Sequence, residues 1–160
     1  MYSKEHSQNR GIEFTLKYFL QKAQKYCSTQ ERSVFQTEKK LKEWGASPET
    51  ATQVIQLLCK DGFIDSDRFI ELFIRSKLRQ NKWGRVKIGA ELLKQKFSRE
   101  QVFLHLEKID ETEYRRILSD LILKKKAVLK NEKDLQTSKQ KIVYFCMSKG
   151  FEYDLIYSLL

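Results

Sequence analysis

Asp65 and Asp67 are the residues of this 160-residue chain that come nearest to a metal-binding pair. Two such carboxylates could hold magnesium or manganese for phosphodiester cleavage, as in a nuclease, but only where they converge in a cleft. Both stand at the head of an apolar-periodic run, where acid suits the positive end of a helix dipole. The helix-start reading is therefore the stronger one. His105 shares a helical face with Val102 and Leu106, which makes it a packed imidazole rather than a catalytic one. The other histidine, His6, has no ligand set around it. Cys27, Cys59 and Cys146 are odd in number, far apart and without a CxxC spacing. They describe neither a zinc site nor a disulfide framework, and read as buried or half-buried thiols of a reducing cytoplasm. Phosphate-loop, dinucleotide, zincin and nucleophile-elbow patterns are all missing. The chain is expected to be no enzyme and to carry no metal and no cofactor.

The chemistry that remains is electrostatic. The formal charge is +10, from 31 Lys and Arg against 21 Asp and Glu. Such a surplus attracts nucleic acid, acidic protein surfaces or anionic lipid, and says little about fold. It is unevenly spread. Residues 68–99 hold ten basic residues against Glu71 and Glu91 alone, whereas residues 33–67 hold four basic and six acidic ones. Within the basic stretch Arg68, Arg75, Arg79 and Lys82 recur at steps of seven, four and three, on one side of a helix. Arg85 and Lys87 carry the charge past Gly84. A solvated helix face would have this composition too. The scarcity of acid beside it tips the reading towards an anion-seeking ridge, and Arg68, Arg75, Arg79, Lys82, Arg85 and Lys87 are the expected partner- or DNA-binding residues. Lys124, Lys125, Lys126 and Lys130 end a long amphipathic stretch and suit the negative end of its dipole.

The elements that must position these groups are helices. There are one proline and six glycines, too few for an all-β chain with many tight turns. Apolar residues return every three or four positions, as in Ala51, Val54, Ile55, Leu58 and in Tyr114, Ile117, Leu118, Leu121, Ile122. Ser33 with Gln36 and Ser98 with Gln101 fit the capping box, Asp110 with Glu113 is a variant, and Ser47-Pro48 pairs an N-cap with proline at the first helical position. Gly45, Gly62, Gly84 and Gly150 each follow a helical stretch and are expected to take the left-handed C-terminal cap. These marks predict helices near 12–29, 33–44, 48–60, 66–81, 85–95, 99–108, 111–127, 135–148 and 152–160. Trp44 and Trp83, beside glycines at helix ends, are expected to cover module junctions. The first residues contain no apolar run resembling a signal peptide, and no stretch approaches the roughly 20 apolar residues of a membrane span.

A repeat emerges when the chain is laid against itself. LKEWGASPETATQVI (41–55), LLKQKFSREQVFLHL (92–106) and CMSKGFEYDLIYSLL (146–160) align without gaps. Gly45, Lys96 and Gly150 fall at the turn, and acid recurs at Glu49, Glu100 and Asp154. Offsets of 51 and 54 residues imply three-helix modules in series. The expected division is an N-terminal segment and first helix over 1–32, a first module over 33–82, a second over 83–130, and an incomplete third over 131–160. The first helix either precedes the array or completes its first module.

Read in order, these features resemble the RecX family of bacterial regulatory proteins over residues 20–160. Tyr26 to Ser33 lead into a helix ending LKEWG, followed by LCKDGFIDSDRF, by KWGRVKIGAELLKQKFS and by a closing KGFEYDLIYSLL. Gly62, Asp65, Arg68, Phe69, Lys82 and Gly84 match the family's central signature. Ser66 stands where a second aspartate is usual, Ile70 replaces alanine, and Lys96 takes a glycine position. The resemblance implies an all-α protein, an elongated, curved array of tandem three-helix repeats, cytoplasmic and monomeric. It also implies a partner, the RecA recombinase, bound as its filament on DNA. Strand exchange, ATP hydrolysis and co-protease activity would fall, with consequences for DNA repair, recombination and the SOS response. The competing expectation is a direct, sequence-tolerant nucleic-acid-binding protein.

Overall fold

The computed structural model describes residues 2–132 and 134–160, with side chains from residue 13 onwards. Among them there are nine helices and no strand: α1 (Tyr2–Ser28), α2 (Val34–Glu43), α3 (Pro48–Lys60), α4 (Ser66–Arg79), α5 (Arg85–Lys94), α6 (Arg99–Leu106), α7 (Glu111–Val128), α8 (Leu135–Ser148) and α9 (Tyr153–Leu159). Apart from the start of α1, which lies at Tyr2, every bound falls within two residues of its expected place. His6 lies outside the described side chains.

Local chemistry explains the helix starts. Ser33 Oγ accepts from Gln36 N at 3.1 Å while Gln36 Oε1 accepts from Ser33 N at 3.2 Å, closing both halves of the capping box. Ser47, Ser98 and Asp110 cap α3, α6 and α7 in the one-sided form, each side chain accepting an amide three residues on. Asp65 does the same for α4, its Oδ1 taking the Arg68 amide at 2.9 Å. That contact makes Asp65 a helix cap, and Asp67 lies in the first turn beyond it.

The three aligned segments share one turn. Gly45, Lys96 and Gly150 have φ of 89°, 64° and 91°. Each donates its amide to the carbonyl three residues back, Lys42, Leu93 and Met147, at 3.0, 3.0 and 2.8 Å. Leu41, Leu92 and Cys146, at the head of each segment, are fully buried. Lys96 thus adopts the left-handed backbone of its glycine counterparts, a conformation that costs an L-residue about 1–2 kcal/mol.

Gly84 departs from expectation. Its φ is −85° and it is the N-cap of α5, not the end of α4. The left-handed residue after α4 is Lys82, at φ 55°, and the Trp83 amide then donates back to the Lys77 carbonyl at 3.1 Å. Glycine at 84 answers a different need. A Cβ there would lie 2.2 Å from the Gly150 carbonyl oxygen, because the two backbones touch.

The chain divides into two compact units, residues 1–69 and 70–160. In the first, α1 packs on α3 and α2 around Phe19, Ala23, Cys27, Leu41, Val54, Ile55, Leu58 and Ile64. Trp44 covers this core, meeting Tyr26 edge-on with ring centroids 5.8 Å apart. In the second, α5 packs on α6, and α8 packs on both α7 and α9. Its buried side chains include Leu78, Ile88, Leu92, Val102, Tyr114, Leu118, Ile122, Ile142, Cys146 and Ile156. Cys27 and Cys146 are buried as expected. Cys59 is exposed, because one position beyond Leu58 the helix has turned its side chain off the core face.

The turns predict a contrast. Gly45 and Gly150 have the same left-handed backbone, but a Cβ at 45 would meet nothing within 4 Å, whereas one at 150 would lie 2.3 Å from Lys87 Cβ and 2.6 Å from Lys87 N. Gly45→Ala should cost about 1–2 kcal/mol, the conformational term alone. Gly150→Ala should cost clearly more, since backbone must move as well. Urea unfolding of the two variants measures the difference; equal losses would refute the close approach.

Candidate partner-binding surface

The six expected site residues are not equivalent once side chains are placed. Arg68, in the first unit, is claimed by its surroundings. Its Nε donates to Glu31 Oε1 at 2.6 Å and its Nη2 to the Gly62 carbonyl at 3.0 Å. The other five lie in the second unit. Arg79 makes a bidentate pair with Glu113 of α7, at 2.9 and 3.1 Å. Lys87 donates to the Ser148 carbonyl at 3.3 Å and stands over the Trp83 ring, with Lys77 over the same ring. Lys82 is half-buried at its left-handed turn. Arg75 is exposed and, among the described residues, no carboxylate pairs with it.

Arg85 belongs to a buried knot. Its amide donates to the Tyr114 hydroxyl at 2.8 Å, and that hydroxyl donates to Glu152 Oε2 at 2.7 Å. The Arg85 guanidinium lies 4.0 Å from the Tyr114 ring centroid and bonds Glu111 at 2.8 Å, with Glu152 at 3.5 Å. Phe151 packs on the other side of the tyrosine, ring centroids 5.1 Å apart. The Arg85 hydrogen bond holds the Glu111 carboxyl below its ordinary range. Burial, reinforced by Glu152, pushes the Tyr114 phenol far up.

Arg75 and Arg79 line a groove of about 290 Å³ between α4, α6 and the start of α7. Ile74, Leu78 and Ile109 form its apolar side, His105 and Lys108 border it, and the carboxylates of Glu71, Asp110 and Glu113 line it as well. His105 is buried, as expected for a packed imidazole, with Nδ1 3.9 Å from Glu71. Lys108, like Arg75, pairs with no carboxylate among the described residues. Sequence reasoning missed Lys108, because it lies outside the basic stretch and reaches the groove only through the α6–α7 turn. The lysine run ending α7 takes structural roles: Lys126 Nζ donates to the Leu160 carbonyl at 2.9 Å, and Lys125 stands over the Phe145 ring. No group of three or more His, Cys, Asp or Glu side chains able to hold a metal occurs among the described residues. No described helix is long and apolar enough to cross a membrane.

Two family models match the chain. Residues 20–58 match the first three-helix domain of RecX, and residues 112–160 match its third. Regulatory protein RecX of Clostridium tetani is 34% identical over 131 residues, which is 81% of this chain and 58% of that protein. The protein of the same name from Clostridium perfringens is 30% identical over 131 residues, 79% of this chain and 61% of that one. The chain therefore spans about three-fifths of the length of these relatives. The crystal structure of RecX from Lactobacillus salivarius superposes with a TM-score of 0.82 at 19% identity, covering 90% of this chain and 93% of that one. A second crystal structure, of a regulatory protein RecX, gives 0.90 at 17% identity, covering 99% and 78%. These superpositions bear out the fold class, all-α with three-helix repeats in tandem.

The knot around Tyr114 makes stability pH-dependent at the alkaline end. A phenol whose pKa is raised on folding contributes stability in full below its unfolded value near 10, and loses it as pH rises beyond. Tyr114→Phe should flatten that alkaline loss. At neutral pH it should cost about 1–3 kcal/mol, since the Arg85 amide and Glu152 both lose a partner. Thermal unfolding from pH 7 to pH 11 on both proteins checks the two effects.

Proposed function

Since this chain belongs to the RecX family of regulatory proteins, we propose that it binds the RecA recombinase filament on DNA and lowers its strand exchange, ATP hydrolysis and co-protease activity. The reading is that of a regulator and not an enzyme, working in the cytoplasm on DNA repair and recombination. The likeness to RecX proteins, 34% identity over 131 residues, is the observation that carries it. The division of the cations supports a contact at the groove. Arg79 and Arg85 already have carboxylate partners, whereas Arg75 and Lys108 form no ion pair with a described carboxylate. A filament coated on DNA offers acidic protein and phosphate to such cations. Lys82 and Lys87 extend the proposed contact within the same unit.

Titrating the chain into RecA hydrolysing ATP on single-stranded DNA should inhibit it at equal or lower molar ratio. The inhibition should persist when DNA is raised in excess, since sequestering DNA is not its cause. Arg75→Glu with Arg79→Glu should weaken it at least about tenfold, the scale for losing a close interfacial charge pair. Circular dichroism reports that the variant is folded. Unchanged ATPase in the presence of folded wild-type protein would refute the reading.

A further inference from the structure

The first unit carries a surface that the basic ridge does not include. From Glu13 to Ser28, helix α1 contains Lys17, Lys22 and Lys25 against a single acid, Glu13, one turn before Lys17. At 3.6 residues per turn, Lys17, Gln21, Phe14, Lys25, Tyr18 and Lys22 fall within one sector. That sector faces away from Phe19, Ala23 and Cys27, which enter the core. Phe14 is 75% exposed and Tyr18 51%, whereas Phe19 and Tyr26 of the same helix are buried and half-buried.

The rings and cations alternate in contact. Lys22 Nζ stands 5.6 Å from the Tyr18 ring centroid and 4.6 Å from that of Trp44. Trp44 meets Tyr26, and the Arg32 guanidinium lies 4.0 Å over Tyr26. The result is a ladder, Tyr18–Lys22–Trp44–Tyr26–Arg32, with Phe14 extending its exposed end. An acidic protein surface would use the cations, but would need apolar groups set among its acids to meet the two exposed rings. Duplex nucleic acid would use the cations too, but its bases are stacked inside. A single strand uses both, with phosphates on the cations and unstacked bases on the rings, and this pairing is how sequence-tolerant single-strand sites are built.

We propose that this outward face of α1, with Phe14 and Tyr18 as stacking platforms and Lys17, Lys22 and Lys25 as phosphate contacts, binds single-stranded nucleic acid. The site is independent of any recombinase contact and stands or falls without it.

The test is anisotropy of fluorescein-labelled dT20, with a duplex of equal length, and no recombinase present. Wild-type protein should prefer dT20. Phe14→Ala with Tyr18→Ala should weaken dT20 binding about tenfold or more, the scale of stacking losses at such sites, with little change in salt dependence. Tyr18→Trp should retain affinity. Lys17→Glu with Lys25→Glu should weaken binding and reduce the log–log salt slope by about 0.7 for each phosphate no longer neutralised. In a Trp83→Phe background, Trp44 emission should change on titration with unlabelled dT20. The proposal is overturned if wild-type protein fails to bind dT20, if duplex binds equally well, or if both double variants bind dT20 as wild type does. It is equally overturned if the alanine pair abolishes inhibition of RecA while dT20 affinity is intact, since the face then meets protein. Should the alanine pair unfold, the lysine pair and Tyr18→Trp carry the decision.

Discussion

Where Gly84 meets Gly150, two stretches of backbone touch with no side chain between them. The Gly84 amide donates to the Lys149 carbonyl at 2.8 Å and the Val86 amide to the Gly150 carbonyl at 3.1 Å. Much of the second unit is organised by that contact. It brings the start of α5 against the turn between α8 and α9, so Lys87 packs on Gly150 and reaches the Ser148 carbonyl. It also leaves the Arg85 amide pointing into the unit, where the Tyr114 hydroxyl receives it. Glu152, the N-cap of α9, completes the chain of polar contacts. A buried phenol, a half-buried guanidinium and a carboxylate are tolerable together because each satisfies another. The hydrophobic core around them is ordinary helix packing; the backbone contact decides its register.

Much of this fold was legible because its signals are local. Capping side chains act within three residues, apolar periodicity within seven, and a left-handed turn shows as glycine at a helix end. The alignment of Lys96 with Gly45 and Gly150 holds because the turn's hydrogen bond is made by backbone, so lysine can stand in at a conformational cost. Gly84 departs from its local pattern for the converse reason: its neighbour in space is 66 residues away in the chain, and no local signal reports a close approach. The capping role of Asp65 and the burial of His105 were both legible, since each follows from position on one helix. Arg85 was not, because a cation in a basic stretch looks alike whether it faces solvent or a tyrosine and a glutamate contributed by α7 and the N-cap of α9. The α1 face went unnoticed because counts of charge treat aromatic residues as core. Its signal was present in FTLKYFLQKAQKY, where ring, ring and lysine recur at four-residue steps off the apolar face.

Charge density and available charge are different quantities in this molecule. The middle of the chain has the densest cations, yet Arg68, Arg79 and Arg85 are already answered by Glu31, Glu113 and Glu111. Those pairs are partly exposed, so their value lies less in stability than in orientation. They hold guanidinium planes in place and leave Arg75 and Lys108 without an ion pair among the described residues. The α1 lysines, fewer and further along the chain from the densest stretch, share their helix with one described acid, Glu13, a turn before Lys17. Net charge therefore draws an anion towards the molecule, and the local pairing of each cation decides where it settles.

The junction of Gly84 and Gly150 also bears on how the chain is made. A ribosome releases residues 83–86 long before residues 149–151 exist. During that interval the first amides of α5 have water in place of their final partners, and the Tyr114 hydroxyl has no glutamate to receive its proton. The first unit, whose α1, α2 and α3 lie close in sequence, can close as soon as it emerges; the second must wait for its end. Synthesis thus imposes an order on two halves that the finished fold does not record.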